Sequence, residues 1–320
     1  MARRDSKPAL PGAADELTSW TTADSERSAV QNRGFATDGY VRGSQLGSGG
    51  WSIVYKTLRV ADGRVFAGKS SQAVREMRSE AAILRSLRHD HILKFVDWHE
   101  EPGVPNATLL VTELCGHGSL QARIDGASPN MDRREILHVV KQMGEALEYL
   151  HHQRLFHTDV KPRNILIRGL GPVDVVLADC ADVKRVGTEC PLRGTPQYYS
   201  PEMLQHGRHY DTGDDVWALG ITLLGMAAQW PPLGRTKQEL RKYPHRCNNH
   251  VQKLVALNPR HGLVRLLAGM VTWELDERAS QRECANLAAE LLGGERHGQG
   301  SPEYDLGIRV PEDFRPISFW

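Results

Sequence analysis

The sequence predicts an α+β fold in which a small β-rich part with one helix precedes a larger, mostly helical part. Between residues 40 and 114, short runs of β-branched and aromatic residues are broken by glycines and by the turn pair Asp62-Gly63. After Gly116, apolar residues recur at the helical period. The first long helix of that part carries an apolar stripe made of Ile136, Val140, Met143, Leu147 and Leu150, and Asp132 is placed to cap it.

The amino-acid composition limits the classes of partner that the protein is expected to bind. The chain has 320 residues, of which 40% are hydrophobic and 25% charged, as in ordinary globular proteins. Its 40 basic and 39 acidic residues give a net charge of +1, so we expect neither nucleic acid nor a membrane surface as a partner. The sequence leaves the oligomeric state open.

The cysteine count and the apolar stretches indicate a compartment. Five cysteines at irregular spacing favour reduced thiols over a disulfide framework, which predicts a cytoplasmic or nuclear protein. The first residues lack the apolar core of an export signal. The most apolar stretch, VWALGITLLGMAAQW, is too short to span a bilayer and predicts a buried helix.

The predicted domain runs from residue 40 to 292 between two polar tails, 1–39 and 293–320, of which we expect the first to be flexible. Within it, 40–112 forms the β-rich lobe, 113–116 the connection and 117–292 the helical lobe. The helix of the first lobe has an apolar stripe of Met77, Ala81, Leu84 and Leu87, with Glu80 close to it.

Two features of the first lobe suit a polyphosphate. In LGSGGWSIV, Gly47 and Gly49 lie in a strand-turn-strand setting where backbone amides can approach phosphate oxygens. In VFAGKSS, Lys69 lies in an apolar strand and needs an anionic partner, which Glu80 can supply. Each feature alone has an ordinary alternative, since glycine pairs often form plain turns and single charges are usually solvated.

The loop LFHTDVKPRNILI in the second lobe places Asp159, Lys161 and Asn164 between two apolar runs. Together with the preceding motifs, it makes the chain resemble a eukaryotic protein kinase domain over roughly residues 40 to 292, with that family's bilobal fold. LGSGGWSIV resembles the glycine-rich loop, FAGK the strand with the phosphate-binding lysine, and HTDVKPRN the catalytic loop. DCA resembles the metal-binding triplet, SPE the end of the activation segment, and DDVWALG with Arg278 the supporting scaffold.

The resemblance implies ATP and Mg²⁺ as cofactors and assigns roles to the loop. Asp159 would accept or orient the proton of the attacking hydroxyl, Lys161 would steady the γ-phosphoryl group, and Asn164 with Asp179 would hold two Mg²⁺ ions. The implied ATP-binding residues are Leu46, Gly47, Ser48, Gly49, Val54, Ala67, Lys69, Glu80, Thr112, Glu113, Cys115 and Leu166.

The same resemblance implies a protein substrate and a serine or threonine acceptor. Lys161 stands two residues after the catalytic aspartate, as in Ser/Thr-directed members, and Thr195 supplies the hydroxyl that bridges Asp159 and Lys161 in such members. Ser119 and Arg163 replace acidic residues of kinases that prefer basic sequences, so we expect a substrate without that preference. The implied activation-segment residues are Thr188, Thr195 and Glu202.

Four positions depart from the family pattern: Ser52, Thr158, Cys180 and Ala181. Thr158 replaces the arginine before the catalytic aspartate, so we expect no requirement for a phosphorylated activation loop. These departures keep a second hypothesis open, a pseudokinase that binds nucleotide and partner proteins with little turnover. A small-molecule kinase is disfavoured by the complete GTPQYYSPE segment. The cluster HRCNNH favours a solvated helical connection over a metal site.

Overall fold

The computed structural model describes residues 21, 23–24, 39–50, 52–100, 108–126, 131–185, 194–206, 210–294 and 306–311. Within these ranges, no helix combines the length and the apolar character needed to cross a membrane. The chain divides into two compact units. The first comprises Met1–Arg85 and Lys94–His117, and the second comprises Ser86–Leu93 and Gly118–Trp320.

The first unit is built on an antiparallel sheet with strand order β1-β2-β3-β5-β4. Its strands are β1 (Tyr40–Ser48), β2 (Ser52–Arg59), β3 (Val65–Ser71), β4 (Phe95–Glu100) and β5 (Thr108–Thr112), and its helix is α1 (Val74–Ser86). The predicted turn pair joins β2 to β3, and Gly63 there has a φ of +68°, a conformation that favours glycine. A buried cluster on the sheet contains Tyr40, Phe66, Leu109 and Val111.

The second unit is mostly helical. Its helices are α2 (Leu120–Asp125), α3 (Arg133–His152), α4 (Pro201–His206), α5 (Thr212–Ala227), α6 (Lys237–Arg241), α7 (Tyr243–Leu257), α8 (Gly262–Met270) and α9 (Gln281–Gly294). Strand β6 (Leu155–Phe156) pairs with β9 (Lys184–Arg185), and β7 (Ile165–Leu170) pairs with β8 (Val173–Leu177). The predicted α+β fold class is therefore confirmed.

Helix α3 forms the centre of the second unit. All five residues of its predicted apolar stripe are fully buried. Asp132 caps it, as expected, because its carboxylate accepts from the Glu135 amide at 2.7 Å. In turn, the Glu135 carboxylate accepts from the Asp132 amide, which completes a capping box. A Cβ at Gly144 would lie 2.9 Å from the Gln281 carbonyl oxygen, so glycine allows α9 to approach closely.

Asp24 lies in the stretch predicted as a flexible tail, yet it is buried against the sheet of the first unit. Its carboxylate is 3.2 Å from the Lys56 ammonium, and the two side chains are 3% and 4% exposed. It also accepts from the Ser44 amide at 3.1 Å, where the β1–β2 register shifts between Arg42 and Gln45. Burial alone would raise the pKa of Asp24, but hydrogen bonds from Ser44 and Thr21 outweigh it and hold this pKa well below its usual range.

Replacing Asp24 by Ala is expected to lower the unfolding free energy by about 2 kcal/mol, because the buried Lys56 ammonium loses a carboxylate partner. Thermal unfolding at neutral pH measures this loss. Because the pKa of Asp24 is depressed in the folded state, the contribution is present at neutral pH and disappears as the pH falls below the unfolded value of 3.8. Asp62→Ala, which breaks the more exposed ion pair with Arg59, is the control and should change stability little. Equal melting temperatures for Asp24→Ala and wild type would contradict the prediction.

A short stretch of the predicted C-terminal tail, residues 306–311, contacts residues at the junction of α7 and α8. The Asn258 side chain donates to the Arg309 carbonyl at 2.9 Å and accepts from the Arg309 amide at 2.8 Å. The His261 Nε2 atom lies 2.8 Å from the Leu306 carbonyl oxygen. Both anchors lie near the junction of α7 and α8, and both hold the segment through its backbone.

Candidate active site

The loop between β6 and β7 gathers polar side chains around one carboxylate. Asp159 is nearly buried, and its Oδ2 atom accepts from the Lys161 ammonium at 2.6 Å. Its Oδ1 atom accepts from both the amide and the hydroxyl of Thr195, at 3.1 and 3.2 Å. Lys161 also donates to the Thr195 hydroxyl at 2.8 Å. The structure thus brings together Asp159, Lys161 and Thr195, the three residues that the resemblance placed in one arrangement.

Asn164 completes this group at the end of a 3-10 turn, Pro162–Asn164. Its side-chain amide donates to the Asp159 carbonyl at 2.9 Å and to Asp159 Oδ2 at 3.0 Å. These two bonds fix the side chain so that its oxygen is the atom it offers to a ligand. The Asn164 carbonyl accepts from the Ala178 amide at 2.8 Å, which places the residue before Asp179 beside the loop.

Asp179 has a left-handed backbone conformation, with φ +63° and ψ +64°, and begins a 3-10 turn formed by Cys180–Asp182. A non-glycine residue in this region is strained, and such strain is common at functional sites. Cys180 is buried at 1% exposure, while Asp179 is half-buried. An amide oxygen from Asn164 and a carboxylate from Asp179 are hard oxygen donors, which is the donor chemistry that Mg²⁺ prefers.

Asp215 on α5 binds the start of the loop that carries Asp159. Its carboxylate accepts from the backbone amides of His157 and Thr158, each at 2.9 Å, and from His151 Nε2 at 2.9 Å. Its side chain is 2% exposed. Burial by itself would raise the pKa of Asp215. The hydrogen bond from His151 and the other nearby donors lower this pKa by more than burial raises it, so the net shift is downward.

The preceding residue, Asp214, behaves in the opposite way. Burial is the largest influence and raises the pKa of Asp214 to about 7, although hydrogen bonds from the Asp211 amide and the Ser200 hydroxyl oppose it. Ser200 belongs to the SPE motif, so Asp214 links the end of the activation segment to the N-terminus of α5. Glu202 and Asp215 add negative charge nearby and reinforce the upward shift.

Glu202 of the SPE motif forms an ion pair with Arg278. The Arg278 guanidinium lies 2.5 Å from the Glu202 carboxylate, and the Arg278 side chain is only 1% exposed. It also donates to the carbonyls of Gly213 and Thr272, each at 3.0 Å. Because these bonds join α4, α5 and the segment before α9, they fix the position of the SPE motif within the second unit.

The first unit carries the predicted phosphate-binding pair. The Lys69 ammonium lies 2.8 Å from one Glu80 carboxylate oxygen and 3.1 Å from the other, and the Glu80 side chain is 3% exposed. Lys69 pairs with Val54 across β2–β3, and Ala67 pairs with Thr112 across β3–β5. Since cross-strand partners and alternate residues share a face, these side chains and Lys69 line one face of the sheet.

The remaining predicted ATP-binding residues are divided between the two units. The first unit contains Leu46, Gly47, Ser48 and Gly49 on and after β1, and Glu113 and Cys115 after β5. Leu46 is 37% exposed, and the Glu113 amide donates to the Lys94 carbonyl at 3.0 Å. Leu166 lies on β7 of the second unit, opposite Val176. Thr188 lies outside the described residues.

Sequence reasoning did not find the contacts made by His151, Asp214 and Asp215. The signal was present in the pair of adjacent aspartates that opens an otherwise apolar helix. A carboxylate in a buried helix requires donors, and the nearby catalytic loop is one place where they could be found. The sequence gives no way to decide which of the two aspartates is paired with that loop.

Comparison with known proteins shows the family to which the chain belongs. Residues 40–291 match the protein kinase domain, so the chain belongs to the protein kinase domain family. The resemblance predicted for residues 40 to 292 is confirmed.

Similar proteins include several Ser/Thr kinases. The chain is 32% identical over 195 residues to the serine/threonine-protein kinase ULK3 of Xenopus laevis, covering 58% of this chain and 41% of that protein. It is 30% identical over 217 residues to the Homo sapiens ULK3, covering 64% and 45% respectively. It is also 30% identical over 195 residues to the probable serine/threonine-protein kinase zyg-1 of Caenorhabditis briggsae, covering 59% and 27%. The chain thus spans less than half the length of these three relatives.

Proposed function

We propose that the chain is an ATP- and Mg²⁺-dependent protein kinase that transfers the γ-phosphoryl group to serine and threonine hydroxyls of proteins. The observation that carries this proposal is the convergence of Lys161, Asn164 and Thr195 on the Asp159 carboxylate, with four hydrogen bonds of 2.6 to 3.2 Å from their side chains and the Thr195 amide. Such an arrangement holds an anionic acceptor and a cation side by side in a fixed geometry.

The chemistry of phosphoryl transfer suits these groups. The reaction gathers negative charge on oxygens that are already crowded, so positioning and cationic stabilisation matter more than covalent catalysis. Asp159 would orient the attacking hydroxyl and accept its proton. Lys161, held 2.6 Å from that carboxylate, would neutralise charge on the transferred group.

The nucleotide would be held by the residues that the family resemblance implies. Lys69, fixed by Glu80, would bind the α- and β-phosphates, and Leu46, Val54, Ala67 and Leu166 would contact the adenine. Asn164 and Asp179 would hold Mg²⁺, which would neutralise phosphate charge when bound. Thr112, at the end of β5, would lie behind the adenine, and Glu113 to Cys115 would offer it backbone groups.

The acceptor class rests on Lys161 and Thr195, whose mutual hydrogen bond of 2.8 Å supports the Ser/Thr-directed arrangement. Three relatives that carry Ser/Thr kinase names support the same class. The exposed Arg163, two residues after Lys161, would repel basic residues of a substrate, so we propose a protein substrate without a basic recognition sequence.

The proposed compartment is the cytoplasm or the nucleus. Within the described residues, Cys115, Cys180, Cys247 and Cys284 form no disulfide, and the last three are buried. Free thiols support a reducing compartment.

The test is transfer of radiolabelled γ-phosphate from Mg-ATP to the protein itself and to generic protein substrates, followed by phosphoamino-acid analysis. We expect label on serine and threonine that is lost when Mg²⁺ is chelated. Label found mainly on tyrosine would contradict the acceptor class. Absence of label, with ATP still raising the melting temperature, would instead support the nucleotide-binding pseudokinase that Ser52, Thr158, Cys180 and Ala181 keep open.

A further inference from the structure

Thr158, the residue before Asp159, has an unfavourable backbone conformation. Its φ is +66°, in the left-handed region, and it is the only β-branched residue with a positive φ in the part of the chain that the structure describes. A β-branched side chain crowds its own backbone in this region, so the conformation persists only where neighbouring contacts impose it. Those contacts show what the conformation achieves.

Two hydrogen bonds fix Thr158. Its backbone amide donates to Asp215 Oδ1 at 2.9 Å, and its hydroxyl donates to the carbonyl oxygen of Asp182 at 2.9 Å. Asp182 is the last residue of the 3-10 turn that follows Asp179. The side chain therefore joins the catalytic loop to the turn behind the proposed metal ligand.

The position of this bond follows the β6–β9 ladder. In that ladder Leu155 is opposite Arg185 and Phe156 is opposite Lys184. Continuing the register by two residues on each strand places Thr158 opposite Asp182. The Thr158 amide is already committed to Asp215 and cannot form the next rung, so the hydroxyl forms a bond to the opposite carbonyl in its place.

We propose that Thr158 is a positioning residue: its hydroxyl fixes the turn Cys180–Asp182 and thereby the orientation of the Asp179 carboxylate toward Mg²⁺. The ladder holds the residues that follow the turn, and the Thr158 bond adds an attachment at Asp182, the last residue of the turn. This inference rests on the proposed function, because it assigns Asp179 the role of a metal ligand. The bond is between uncharged groups, so its strength does not depend on a phosphorylated residue elsewhere.

The test compares Thr158→Val with Thr158→Ser. Valine keeps the shape and the β-branching but has no hydroxyl, whereas serine keeps the hydroxyl. We expect Thr158→Val to lower kcat by about ten- to a hundredfold, because a misplacement of about 1 Å can cost about a hundredfold in rate. The KM for the protein substrate should stay unchanged, and Thr158→Ser should remain close to wild type. Thr272→Val is the matched control, because it removes a half-buried hydroxyl that donates to a carbonyl, that of Ala268, at 2.8 Å.

A binding readout separates this inference from the proposed function. Calorimetric titration of a non-hydrolysable ATP analogue at several Mg²⁺ concentrations requires no turnover. We expect Thr158→Val to need several-fold more Mg²⁺ than wild type for half-maximal nucleotide affinity, and Thr158→Ser to restore the wild-type value. Unchanged Mg²⁺ dependence in a folded Thr158→Val protein, or failure of serine to restore it, would overturn the inference. A wild-type protein that binds the Mg-nucleotide but transfers no phosphate would instead overturn the proposed function alone.

Discussion

Replacing Asp159 by Asn is expected to lower the rate of phosphoryl transfer by about a thousandfold, the range measured for positioned general bases. Asp159 accepts hydrogen bonds from Lys161, Asn164 and Thr195. Asparagine has nearly the same shape but only one acceptor oxygen, so its amide group would face donors, and the side chain could no longer accept the proton of the substrate hydroxyl.

The measurement is kcat for a generic protein substrate, with the KM for ATP determined in parallel. The KM should change little, because the proposed nucleotide contacts are made by other residues. Asp174→Asn is the matched control: it removes a half-buried carboxylate paired with Arg168 in the β7–β8 hairpin and should leave kcat unchanged. A rate for Asp159→Asn within tenfold of wild type would remove Asp159 from the proposed mechanism.

Replacing Asp215 by Asn is expected to destabilise the second unit by about 3–5 kcal/mol, since it breaks a buried set of charge-assisted hydrogen bonds. The carboxylate accepts from the amides of His157 and Thr158 and from the His151 ring. An asparagine nitrogen cannot accept from any of them. At about 2–4 °C for each kcal/mol, the melting temperature should fall by about 10 °C. Activity should fall as well, because the same amides fix the start of the catalytic loop.

Asp214→Asn is the control for this effect, and its outcome depends on pH. The pKa of Asp214 is about 7 in the folded protein against 3.8 in an unfolded chain. The folded state therefore binds a proton that the unfolded state has released, and stability from this group declines as the pH rises from about 4 to 7. Asparagine resembles the protonated carboxyl. We expect Asp214→Asn to exceed wild type in stability by less at pH 5 than at pH 8. A melting temperature for Asp214→Asn that falls in parallel with wild type between these pH values would contradict the assignment.

Local patterns were sufficient to predict most of the fold. The stripe on α3 follows from the spacing of Ile136 and its partners, the cap at Asp132 follows from its place before that stripe, and the β2–β3 turn follows from Asp62-Gly63. Each of these rests on interactions within a few residues of sequence, where period and propensity carry the information.

Motifs and family resemblance were likewise sufficient to propose the central site residues, and the structure brings Lys69 to Glu80 and Lys161 to Asp159. Other contacts could not be predicted. Asp24 and Lys56 are separated by 32 residues, and nothing in the polar N-terminal stretch marks Asp24 as buried. The opposite pKa shifts of Asp214 and Asp215 depend on which donors each carboxylate meets in three dimensions, and residue type does not contain that information.

The attachment of residues 306–311 has a consequence for how this sequence can vary. The hydrogen bonds between Asn258 and Arg309 involve only the main chain of Arg309: the Asn258 side chain donates one and accepts one. Substitutions in this stretch of the tail should therefore preserve its attachment, provided that residue 309 is not replaced by proline, which has no amide hydrogen. Asn258 has less freedom, because aspartate accepts without donating, lysine donates without accepting, and an amide carries its donor and its acceptor on two separate atoms of one short side chain.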